Sequence, residues 1–212
     1  MLRQAALAIS LFAAATAAAP KLETTGPLDD KAAPEAVRSA LEPGGERVLL
    51  PEGQWCEVWF RKKIPEEKNS TPGALQSNLG ISTAVGVIRF LAAATDFRGQ
   101  AIRPGLYTLR YATIPSDGNH LGVSEYPDFL LVVPVADDPD PAARFKLEDL
   151  MTLSVKATGT KHPGVLSLTR PSGESFPSVK VDGAGHVVLQ MKARIGAVEA
   201  PIALVVKGQV PQ

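Results

Sequence analysis

From residue 46 onward, apolar and polar side chains alternate with a period of two, and clusters of Gly, Pro, Asn and Asp punctuate the alternation. Successive side chains leave opposite faces of an extended chain, so this is the signature of strands with one buried face. It predicts strands at 47–50, 55–61, 83–91, 106–114, 129–135, 165–170, 179–181, 186–193 and 202–207. Within 106–114, Tyr107, Leu109 and Tyr111 point to the core, while Thr108 and Arg110 point away. The stretches 86–91 and 129–135 are apolar on both faces, which predicts central strands covered from both sides. Asp182-Gly183 is a hairpin turn between the strands at 179–181 and 186–193.

Two stretches carry a helical period instead. The first spans 32–41, with Asp29 or Asp30 as cap, Pro34 in the first turn and Pro43-Gly44-Gly45 as terminator. The second spans 146–154 and places Leu147, Leu150, Met151 and Ser154 on one face. No long helix separates successive strands, which excludes a parallel α/β sheet. The expected fold is therefore all-β, a two-sheet antiparallel sandwich of immunoglobulin-like or jelly-roll-like kind with one or two short peripheral helices. The segment Asp137-Asp138-Pro139-Asp140-Pro141 reads as a long connection inside one sandwich, and 64–80 as its loosest loop.

The N-terminus follows a different logic. Arg3 precedes the apolar run 5–15, and small residues fill 16–19, the pattern of an export signal cleaved after Ala17 or Ala18. The run is too short and too weakly apolar to span a bilayer. The chain thus divides into a signal peptide at 1–19, an N-terminal segment with a short helix at 20–45, and a β-sandwich domain at 46–212. The mature part is expected in the periplasm or outside the cell.

Charge narrows the partners. Lysine plus arginine equal aspartate plus glutamate at 22 each, and the only tight basic cluster is Arg61-Lys62-Lys63, the end of a strand. Nucleic acid is excluded as a partner, and an envelope protein or a glycan remains. One cysteine, Cys56, forbids an internal disulfide and reads as a buried, inert thiol. Trp55 and Trp59 should share one face, opposite Cys56, Val58 and Phe60, and one of these faces must be covered.

Candidate chemistry is sparse. Nucleophilic catalysis needs a histidine beside a nucleophile and an acid, and there are three histidines. His186 starts a strand on its outward face and reads as a surface residue. His120 ends the turn Ser116-Asp117-Gly118-Asn119-His120, where Asp117 and Asn119 gather at one end of the sandwich, and His162 lies in a second loop. If both loops reach the same end, His120 and His162 would bind a divalent metal with Asp117 or Asp96. The candidate binding set is His120, Asn119, Asp117, Asp96 and Arg98. Asp137, Asp138 and Asp140 offer oxygen ligands but lack the glycine turn and trailing glutamate of a calcium loop.

The stretch 86–134, with Asp96-Phe97-Arg98-Gly99, Pro104-Gly105-Leu106-Tyr107-Thr108-Leu109-Arg110-Tyr111 and Asp117-Gly118-Asn119-His120, resembles exported bacterial β-sandwich proteins of unknown function. The resemblance implies the fold and export, and brings no functional residues with it. The leading functional expectation is a non-enzymatic periplasmic or cell-surface binding module without a cofactor. A metal-binding protein using His120 and His162 is the alternative, and a small hydrolase or isomerase using His120 with Asp96 or Asp117 is the third reading.

Overall fold

The computed structural model describes residues 18–114 and 124–209. In chain order the elements are β1 (Lys21–Thr25), α1 (Glu35–Ala40), β2 (Gly45–Leu50), β3 (Gly53–Phe60), β4 (Ala84–Phe90), β5 (Ala94–Thr95), β6 (Ala101–Ile102), β7 (Gly105–Thr113), β8 (Asp128–Pro134), α2 (Leu147–Thr158), β9 (Val165–Thr169), β10 (Ser178–Val181), β11 (Val187–Ile195) and β12 (Val198–Lys207). Every strand expected from the period-two pattern is present, and the fold is all-β and antiparallel with two helices.

Ten strands form one sheet in the order β1-β2-β3-β4-β7-β8-β9-β12-β11-β10, while β5 and β6 make a small separate ribbon. Where two sheets were expected, pairing runs without a break through β9. On one side Phe129, Leu130 and Leu131 face Ser167, Leu166 and Val165, and on the other Ala203 and Leu204 face Thr169 and Leu168. The sheet curls until its end strands β1 and β10 touch, giving a nearly closed barrel.

The inner face holds the main core. Val48, Val58, Phe60, Ile88, Leu109, Tyr111, Leu130, Leu166, Leu189, Leu204 and Val206 pack there, each worth roughly 1.5–3 kcal/mol when fully removed from water. Tyr107, Leu109 and Tyr111 point inward, as their alternation requires. The two tryptophans do not share a face. The pairing of β2 with β3 slips by one residue between Val48 and Leu49, opposite Trp55. This bulge turns Trp55 inward beside Cys56, and its indole N–H donates to the Val206 carbonyl across the interior at 2.9 Å. Trp59 stays on the outer face.

Three pieces of chain cover that outer face, which is why β4 and β8 are apolar on both sides. Leu28, Ala33, Val37 and Leu41, from α1 and the residues on either side of it, pack on Trp59, Val87 and Val135. The Trp59 indole donates to the Gly26 carbonyl at 2.8 Å. Leu150 of α2 packs on Ala112, Leu131 and Val133, and Phe97 packs on Val188, Ala203 and Val205. His186, expected at the surface, is buried by this last cover: its ring lies 4.5 Å from the Phe97 ring and 3.0 Å from the Asp182 carboxylate.

The helices differ from expectation at their ends. Pro34 precedes α1 as its N-cap, and Asp30 accepts the Ala32 amide instead of capping the helix. Helix α2 runs on to Thr158, because its terminator is Gly159 in the left-handed conformation at φ 67°. Ser154 is buried, donating to the Val132 carbonyl at 2.8 Å, whereas Met151 is 39 % exposed.

Charged side chains fasten the outer layer. Glu57 faces Arg47 on one neighbouring strand and Arg89 on the other, at 2.6 and 3.0 Å, and Arg89 also reaches Asp30 at 3.0 Å. The connection 136–146 is pinned by Arg110, which pairs with Asp138. The loop 64–80, expected to be loose, is tied down instead. Asn69 donates to the Tyr111 hydroxyl at 2.7 Å, and Asp128 accepts the Leu75 and Gln76 amides at 2.7 and 3.0 Å.

Candidate functional site

A cleft of about 570 Å³ opens on the outer face of the sheet. Its floor is apolar: Phe129 and Leu131 of β8, Val165 of β9, and Leu147 and Met151 from the start of α2. Phe129 and Leu131 lie two apart on β8 and so share its outward side, and Leu147 and Met151 lie one helical turn apart on α2. One rim is polar, built from the turn 96–100 between β5 and β6 and from His162 and Pro163 before β9.

Asp96 organises that rim. It is only 6 % exposed, and its Oδ1 accepts the Arg98 amide at 3.0 Å and the Gln100 amide at 2.8 Å. Burial pushes its carboxyl above the ordinary aspartate value, against the pull of those two amides and of the Arg98 charge. Gln100 then stitches the turn to the neighbouring loop. Its side-chain amide donates to Asp96 Oδ2 at 3.4 Å and to the Pro163 carbonyl at 2.9 Å, and its carbonyl accepts the Thr160 hydroxyl at 3.4 Å. Thr158 and Thr160 hold the next residue: the Thr158 hydroxyl donates to the His162 carbonyl at 2.7 Å, and the His162 amide donates to the Thr160 hydroxyl at 3.0 Å.

The second carboxylate of the cleft is also engaged. Asp128 is 1 % exposed and, besides the two loop amides, accepts the Tyr111 hydroxyl at 2.7 Å. Burial, and then that bond to the Asp128 carboxylate, push the Tyr111 hydroxyl far above its ordinary range. The Arg98 guanidinium and the His162 ring, by contrast, are exposed and bond to no other described residue. The acids of the cleft thus serve the fold, and the exposed Arg98 guanidinium can only donate.

Of the residues singled out from the sequence, Asp96, Arg98 and His162 line this one cleft. Asp117, Asn119 and His120 lie outside the described residues. Among the described residues, no group of three or more His, Cys, Asp or Glu side chains is placed to hold a metal. The acidic run at 137–140 is dispersed: Asp137 pairs with Lys156 at 2.6 Å, Asp138 with buried Arg110, and Asp140 accepts the Ala142 amide at 2.8 Å. Cys56 is fully buried, and desolvation holds its thiol far above the usual range, which leaves it unreactive. The floor residues were legible only as core positions of a strand and a helix, since nothing in a linear pattern separates an apolar side chain under a helix from one beside it.

No described helix is long and apolar enough to cross a membrane. No family model matches the chain, and no curated protein and no solved structure matches it either.

Proposed function

We propose that the protein is an exported, non-enzymatic binding module of the bacterial envelope, periplasmic or at the cell surface, that takes a small ligand in the cleft beside α2. The observation that carries this reading is the cleft itself. Ligand sites in proteins are concave, hold roughly 300–1,000 Å³, and combine an apolar lining with a few oriented polar groups. The volume of about 570 Å³, the floor of Phe129, Leu131, Leu147, Met151 and Val165, and the donors Arg98 and His162 fit that description. The leader-like residues 1–19 support export. On this reading the curled sheet acts as a sandwich joined along one side through β9, and the ligand binds where loops and helix meet the outer face. A metal centre on Asp96 and His162 is the weaker reading, because both Asp96 oxygens already accept hydrogen bonds.

The neutral dye N-phenyl-naphthylamine tests the cleft. It should brighten on binding the purified mature protein, and Leu147→Trp, which fills the floor from a half-buried helix start, should abolish the signal without lowering Tm. A dye signal that is absent, or unchanged in Leu147→Trp, overturns the reading.

A further inference from the structure

We infer that the ligand is a single-chain amphipathic anion, with its apolar chain on the floor of the cleft and its carboxylate or similar head between Arg98 and His162. The inference rests on the cleft being the binding site, and deepens it by asking which polar groups remain available for recognition. Every carboxylate oxygen in the lining already accepts hydrogen bonds from the protein: Asp96 from Arg98, Gln100 and the Gln100 side chain, and Asp128 from Leu75, Gln76 and Tyr111. Gln100 is likewise committed at both ends of its amide. Among the described lining residues, the charged and imidazole groups on offer are Arg98 and His162, in two loops that Gln100 binds together, beside the Ser124 and Ser167 side chains.

Those remaining groups set the sign of the head. A guanidinium presents a planar fork of N–H donors that matches a carboxylate or phosphate, and no acceptor that would welcome an ammonium. The floor sets the body. Phe129, Leu131, Leu147, Met151 and Val165 offer no polar partner, so a ligand that covers them must be apolar along most of its length. Met151 is 39 % exposed and unbranched, and such a side chain adapts to chains of different shape.

Displacement of the bound dye by octanoate, octanol and octylamine, each below its micellar or solubility limit, decides the matter. Octanoate should displace the dye at about tenfold lower concentration than octanol, and octylamine should be the poorest competitor. Arg98→Gln should erase the preference for octanoate over octanol, each read against that variant's own dye affinity, and His162→Gln should reduce it. If octanol competes as well as octanoate, if octylamine is best, or if Arg98→Gln keeps the preference, the anionic head is wrong while the cleft stands. If the dye signal fails the Leu147→Trp control, the cleft falls and this inference falls with it.

Discussion

Arg110 and Asp138 meet in two parallel hydrogen bonds, Nε to Oδ2 at 2.7 Å and Nη2 to Oδ1 at 2.5 Å, with neither side chain exposed at all. The rest of the guanidinium is spent on backbone carbonyls: Ser82 at 2.8 Å, Ala143 at 2.7 Å and Asp140 at 2.8 Å. Thr108 adds a donor to Asp138 at 2.5 Å. Removing one partner of such a pair strands a buried charge, so Asp138→Ala should lower the unfolding free energy by about 3–5 kcal/mol. Replacing both, as Arg110→Met with Asp138→Leu, should recover part of that loss. Urea midpoints measure it, and a loss under about 1 kcal/mol for Asp138→Ala overturns the assignment.

Asp128 fastens the loop 64–80, and Lys68 in that loop is exposed. Asp128→Ala leaves the Leu75 and Gln76 amides and the Tyr111 hydroxyl without their acceptor. Local opening should then cost at least about 1.4 kcal/mol less, which corresponds to about tenfold faster trypsin cleavage after Lys68. Equal cleavage rates in variant and parent would show that the loop is held by something else.

Gly208, just past β12, touches the turn that carries the rim. A Cβ there would stand 1.8 Å from the Asp96 carbonyl oxygen and 2.6 Å from the Phe97 Cα, both backbone atoms unable to swing aside. Gly208→Ala should therefore displace the 96–100 turn, lower stability by about 1–3 kcal/mol and weaken dye binding in the cleft. Gly183→Ala, where a Cβ meets nothing within 4 Å, is the control and should change neither. Parent-like dye affinity in Gly208→Ala would detach the turn from the site.

Asp96 makes stability depend on pH. Burial holds its carboxyl above the ordinary 3.8, so the folded chain keeps the proton more tightly than the unfolded one. That advantage is complete below pH 3.8 and is lost as pH rises through the raised value. Asp96→Asn keeps an acceptor for the Arg98 and Gln100 amides but has no proton to lose. The Tm of the parent relative to this variant should fall between about pH 3 and about pH 7, and a constant difference across that range refutes the buried acid.

How far the sequence carried this picture follows from which forces are local. Alternation located the strands β2 to β4, β7 to β9 and β10 to β12, because each buries one face against the same interior. It missed β1, whose residues Lys21-Leu22-Glu23-Thr24-Thr25 contain a single large apolar side chain, since an edge strand has little to bury. Parity failed at Trp55, where a bulge decided by strand pairing reverses the side chain. It misled at His186, read as a surface residue but buried under distant chain, whereas Arg110 leaves the sheet on its outer side as the alternation required and is buried there. The rim was half legible. Asp96, Arg98 and His162 stood out as polar loop residues, but their meeting depends on the Gln100 bond to Pro163, 63 residues away.

The bond from Trp55 to the Val206 carbonyl joins positions 151 residues apart. An interior sealed by contacts of that span cannot be completed until β12 has been made, because β3 bonds to it from far earlier in the chain. Such a topology folds slowly and only as a whole. On the export proposed above, a chain of this design would stay threadable until β12 has been made, and that delay would suit passage through a narrow translocation channel.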